Sequence, residues 1–95
     1  MSTVLVVHHR VRDYDAWKPV FDEHAEVRKQ HGAVRHWLYR TAGDPNDVVV
    51  AMEFGSEEQA NEFLADPSLR EAMQRAGVEG EPDIHVREEI EEVRY

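Results

Sequence analysis

Two short segments, Val4-Leu5-Val6-Val7 and Val48-Val49-Val50-Ala51-Met52, are apolar at every position. Successive side chains of a strand point to opposite faces, and a sheet with one wet face alternates apolar with polar. These segments do not alternate, so they predict a sheet covered on both sides. Residues 3–12 read as the first strand. Asp13 or Asp15 is placed to cap the helix that follows, and Trp17, Val20, Phe21, His24, Val27 and His31 fall on one helical stripe. A single helix is predicted up to Gly32, with Pro19 close to its start, because a proline deeper in a helix removes a hydrogen bond.

Residues 33–42 read as the second strand, 43–47 (Gly-Asp-Pro-Asn-Asp) as a turn, and 48–54 as the third strand of a hairpin. Ser56 with Gln59 three residues on is a capping-box pattern, and Ala60, Phe63 and Leu64 form the apolar face behind it. Asp66-Pro67 marks a restart. Leu69, Ala72, Met73 and Ala76 continue the stripe to Gly77. Residues 77–82 read as a loop and 83–93 as the last strand, with a bulge or frayed end between Ile90 and Val93.

The order strand, helix, strand, strand, helix, strand is that of an α+β ferredoxin-like βαββαβ unit in a single domain, residues 1–95. Right-handed crossovers place both helices on one face of a four-stranded antiparallel sheet. The other face carries either Val48, Val50 and Met52 or Val49, Ala51 and Glu53. An open apolar face of that size is unusual on a monomer, and a twofold homodimer joined through it resolves the problem. If Glu53 lies in that interface it needs a cation, Arg35 or Arg40.

Composition narrows the partners. Twenty acidic residues against eleven basic ones give the 95-residue chain a formal charge of −9, which disfavours nucleic acid and anionic membrane surfaces. The chain has no cysteine, so disulfides and thiolate chemistry are excluded. No apolar run reaches the roughly 18 residues of a membrane span, and the first residues do not read as a signal peptide. A cytoplasmic protein is expected.

The valine-rich first strand ending in His8-His9, then Asp13-Tyr14-Asp15-Ala16-Trp17-Lys18, Asp44-Pro45-Asn46-Asp47-Val48-Val49-Val50 and 69–77 (Leu-Arg-Glu-Ala-Met-Gln-Arg-Ala-Gly), carry a resemblance across nearly the whole chain. It resembles the dimeric α+β barrel superfamily, in particular the small antibiotic-biosynthesis-monooxygenase-like proteins. That resemblance implies a dimeric α+β barrel and a cofactor-independent oxygenation of an aromatic or polycyclic substrate. The alternatives are a non-catalytic ligand-binding or stress-response protein on the same scaffold, or a dimer with no small-molecule role. Haem degraders of this type are expected to have an asparagine on the first strand and a tryptophan and histidine in the second helical region. Residues 56–77 contain neither of the latter two, which argues against haem. No cofactor is implied.

Six histidines are present. His9 shares strand parity with Leu5, Val7 and Val11, and His24 lies in the apolar stripe of the first helix. Both are expected to face a space between helices and sheet, either as proton-transfer groups or as hydrogen-bonded structural histidines. They are the catalytic candidates. Trp17, Phe21, Trp37 and Tyr39 are the candidate substrate-binding residues, with plain core as the other reading. No metal site is expected: His8 and His9 point apart, His24 and His31 are two turns apart, and there is no His-Glu-x-x-His motif.

Overall fold

A computed structural model describes residues 2–95. Strands β1 (Thr3–Val11), β2 (Ala33–Thr41), β3 (Asp44–Phe54) and β4 (Val78–Glu88) form one sheet in the order β2-β3-β1-β4. Every pairing is antiparallel. Helices α1 (Tyr14–Glu23), α2 (Ala25–Gln30), α3 (Glu57–Leu64) and α4 (Pro67–Ala76) complete the chain. This is the α+β ferredoxin-like arrangement that the element order predicts. The core lies between sheet and helices: Leu5, Val7 and Val11 of β1 and Val48, Val50, Met52 and Phe54 of β3 meet Trp17, Ala60, Phe63 and Ala76.

The first helix breaks where the periodicity runs unbroken. His24 has φ −83° and ψ 3°, ending α1 and starting α2. Its ring turns inward to Ser68 on α4 (3.0 Å). Asp13 is the cap of α1, its carboxylate accepting from the Asp15 amide at 3.1 Å. Pro19 sits inside α1 rather than at its start. The carbonyl it leaves without a helical donor is that of Asp15, on an exposed turn where water can serve it. Gly32, at φ +96°, ends α2, and a Cβ there would stand 2.6 Å from the Gln59 side chain.

Residues 43–47 are not the turn. Gly43, at φ +86°, makes it with Ala42, and β3 already begins at Asp44. The register then slips, because Thr41 pairs with Asp44 but Arg40 pairs with Val48, so residues 45–47 have no partner on β2, although Asp47 still pairs with Arg10 of β1. Pro45 has no amide to donate and is tolerated at such a bulge. Asn46 uses its side chain to accept from the Tyr14 amide (2.8 Å), tying the hairpin to the start of α1.

The last strand also differs from expectation. It spans Val78–Glu88 rather than residues 83–93, and residues 77–82 are not a loop. His8 pairs with Asp83 and Arg10 with Glu79, so Gly80-Glu81-Pro82 stand opposite His9 alone. Glycine and proline, which signal a turn, here mark a bulge inside a strand. Beyond Glu88 there is no strand, and Ile90, Val93 and Tyr95 are exposed. The capping expectation holds in part: Ser56 Oγ accepts from the Gln59 amide (3.2 Å), whereas Gln59 Oε1 reaches the Gly55 amide (3.0 Å) instead of that of Ser56.

Candidate functional site

The pairing register decides which side chains meet. His9 pairs with Val48, on the face of the sheet covered by helices. It is 6% exposed, and neither Nδ1 nor Nε2 has a hydrogen-bond partner among the described residues. A neutral imidazole has one donor and one acceptor, so both are left unsatisfied, and these are the fully buried side-chain nitrogens or oxygens without a partner among the described residues. The Trp17 ring stands edge-on to it at 5.6 Å, and Phe21 stacks on Trp17 at 4.8 Å. Burial, with a smaller push from neighbouring His8, lowers the His9 pKa from 6.5 to about 4, against the pull of Asp47. The ring is therefore neutral at neutral pH.

His24 and Arg28 approach from the helix side. His24 is buried with Nε2 3.0 Å from Ser68 Oγ. Its pKa is lowered by burial first and by the Arg28 charge second. Arg28 is 6% exposed; its Nη1 donates to the Phe21 carbonyl (2.8 Å) and its guanidinium carbon lies 3.9 Å from the Phe21 ring centroid. Burial lowers the Arg28 pKa, partly offset by Asp22, but a guanidinium keeps its proton.

These groups line one cleft. Val7 and His9 come from β1, Trp17 and Phe21 from α1, Val50 and Met52 from β3, and Leu69 and Met73 from α4, with His24, Arg28 and Phe63 between. The cleft holds about 50 Å³ of space, or about 490 Å³ of empty volume when the open mouth is counted. An engineered apolar cavity of about 150 Å³ takes benzene, so a ring fits only when wall side chains swing aside. A larger groove of about 850 Å³ runs along α4 and β4 and shares Leu69 and Met73 with the cleft. Its lining includes no histidine among the described residues, and the two buried histidines, His9 and His24, line the smaller cleft.

His9, His24, Trp17 and Phe21 are thus brought together. Trp37 and Tyr39 are not. Trp37 pairs with Ala51 and Tyr39 with Val49, on the opposite face of the sheet, so the expectation of one pocket lined by all four aromatic residues is corrected. Helices cover the parity of His36 and Leu38 instead. On the outer face Trp37 lies under Arg35 at 4.6 Å, and Glu53 accepts from Arg35 Nε and Ser2 Oγ. Arg35, rather than Arg40, is the cation that Glu53 requires. His8 contacts Asp47 (2.8 Å) and Arg10 contacts Asp44 (2.8 Å) on this same sheet.

Arg28 is the lining residue that the sequence reading passes over. It continues the spacing 17, 21, 24, 28, 31 of the buried stripe, which was the signal that could have found it. Another histidine pair is structural: His31 Nε2 bonds Asp66 Oδ2 at 2.8 Å, and this bond, with Ser68 donating to the same carboxylate, holds the Asp66 pKa down to about 2. Among the described residues no group of three or more His, Asp or Glu is placed to hold a metal ion. Among the described residues no helix is long and apolar enough to cross a membrane.

No protein-family model matches the chain, and no curated protein matches it in sequence. Solved structures do match in shape. SnoaB, a cofactor-independent oxygenase from Streptomyces nogalater, superposes with a TM-score of 0.81 at 17% identity, covering 99% of this chain and 98% of its own. Rv0793 from Mycobacterium tuberculosis gives 0.72 at 15%, covering 99% and 100%. A structure described as an antibiotic biosynthesis monooxygenase gives 0.72 at 14%, covering 96% and 100%. At these identities the likeness speaks for architecture. The chain has, over its whole length, the ferredoxin-like fold of the antibiotic-biosynthesis-monooxygenase-like proteins.

Proposed function

We propose that this protein is a cytoplasmic small-molecule enzyme that oxygenates a hydroxylated aromatic substrate without a cofactor, working as a homodimer joined through the outer face of the sheet. The observation that carries the reading is His9: a buried imidazole with both nitrogens unpartnered, on the wall of an apolar cleft beside a bulged strand. Such a group costs stability with no structural return, which suits a residue kept for a ligand. The likeness to SnoaB, itself a cofactor-independent oxygenase, favours this chemistry over others that the cleft could host.

In that chemistry a base removes a proton from a CH2 group activated by electron-rich rings. The carbanion gives one electron to dioxygen, and the radical pair joins as a peroxide. Protonation and loss of water leave a carbonyl where the CH2 stood, so one O2 is used and one water released with no external electrons. His9 is the proposed base, because it is neutral and unpartnered. Its low basicity comes from burial, and an adjacent substrate anion favours the imidazolium. His24 is the second proton carrier, with Ser68 fixing its ring. Trp17 and Phe21 offer a stacked surface for the substrate, and the apolar walls exclude water from the anion.

The test is oxygen consumption with a panel of hydroxylated anthrones, with His9→Leu and His24→Ala beside the wild type. Turnover lost in His9→Leu while the fold is kept supports the assignment; unchanged turnover removes His9 from the mechanism. The tightness of the cleft favours a second reading, ligand binding without turnover, which predicts saturable binding and no oxygen uptake. For the assembly, Val4, Val6, Val49 and Ala51 are only partly covered on the outer face. Sedimentation is expected to give a dimer that Val49→Asp converts to monomer.

A further inference from the structure

We propose that the cleft recognises an organic oxyanion, an aromatic carboxylate or an ionised phenol, and that Arg28 is the cation that pairs with it. This rests on reading the cleft as a ligand site.

A buried charge is stable only when paired or fully hydrogen-bonded. Arg28 is 6% exposed and has no carboxylate within ion-pair distance among the described residues. Asp22, the acidic group that acts on it most, has both oxygens on Lys18 Nζ at 2.7 Å. One bond, to the Phe21 carbonyl, serves one of the five donors of the guanidinium. The face of Phe21 offsets part of the cost, but a ring is not a counter-ion.

The surroundings point the same way. The chain carries a formal charge of −9, yet no Asp or Glu lines the cleft, whose polar wall groups are Arg28, His9 and His24. Among the described residues, the fixed charge facing this apolar cleft is positive. In such surroundings a fork of N–H donors is worth most to a delocalised oxyanion. The stacked pair Trp17 and Phe21 gives the anion's ring an apolar seat, and the confined volume favours a single-ring probe.

Salicylate and its uncharged methyl ester share a shape and differ in charge, and they serve as the probes. Nitrogen–proton NMR of the labelled protein follows the Trp17 indole, the Arg28 side chain and the Trp37 indole, the last reporting on the opposite face. Salicylate is expected to shift Trp17 and Arg28 at a concentration lower than the ester by at least about tenfold, the worth of one charge-assisted hydrogen bond. Arg28→Met, which keeps the apolar stem, should erase that preference, and Arg28→Lys should keep part of it. The wild-type Arg28 signal answers the question even if Arg28→Met fails to fold. Equal response to acid and ester would overturn the oxyanion while leaving the cleft as a ligand site. Silence at Trp17 with both probes would overturn the cleft reading and this proposal together, and shifts at Trp37 alone would place binding on the wrong face.

Discussion

His9→Leu separates the two roles that the cleft imposes on one side chain. Burial has lowered the His9 pKa from 6.5 to about 4. Between those values the unfolded chain binds a proton that the folded chain does not. Titration of His9 therefore costs the fold nothing above about pH 6.5 and destabilises it progressively as the pH falls toward 4. At about 1.4 kcal/mol for each tenfold change in an ionisation equilibrium, the loss across that window is about 3 kcal/mol. Leucine does not titrate and leaves no unpaired nitrogen, so at pH 7.5 the variant should equal or exceed the wild type by about 1 kcal/mol. Urea unfolding followed by circular dichroism at pH 7.5, 6, 5 and 4 measures both terms. The two proteins share every other titratable group, so the difference isolates His9 and its coupling to His8 and Asp47. The stability advantage of the variant should grow by about 3 kcal/mol from pH 7.5 to 4. A difference that does not change with pH, or a variant less stable than wild type throughout, would refute the picture of an unpartnered, neutral, buried imidazole.

Phe63→Ala removes a ring that is 1% exposed and packs on Phe54, His24 and His31; chemical denaturation should show a loss of about 3–5 kcal/mol, enough to leave so small a chain close to unfolded. Gly32→Ala forces a side chain into φ +96° and against Gln59, and its unfolding midpoint should fall by an amount worth about 1–2 kcal/mol. Met73→Ala removes part of the wall shared by the cleft and the larger groove. It should cost about 2 kcal/mol and let two-ring analogues of salicylate bind more tightly, which titration calorimetry would register.

The architecture was legible from sequence where local rules act alone. Uninterrupted valine runs fixed β1 and the middle of β3, helical spacing fixed the buried stripe from Trp17 to His31, and Ser56 and Asp66 with Pro67 fixed the starts of α3 and α4. The same rules misplaced boundaries wherever a turn-like residue sits in a strand. Pro45 and Gly80-Glu81-Pro82 look like punctuation, but pairing with β2 and β1 holds them as bulges, because neighbouring strands supply hydrogen bonds that an isolated segment lacks. His24 breaks its helix although the periodicity continues, since its partner, Ser68, lies 44 residues away.

For the cleft, strand parity by itself determined that His9 travels with Leu5 and Val7, and that Trp37 and Tyr39 travel together. Parity groups residues without saying which group the helices cover. Only the pairing of β2 with β3 sent Trp37 and Tyr39 to the outer face. Arg28 drew no reading from sequence, and only packing enclosed it, with its guanidinium held against the ring and carbonyl of Phe21. Solvation is a property of the assembled layers, so the sequence determined which groups are available, and the tertiary structure decided which of them are held away from water without a partner.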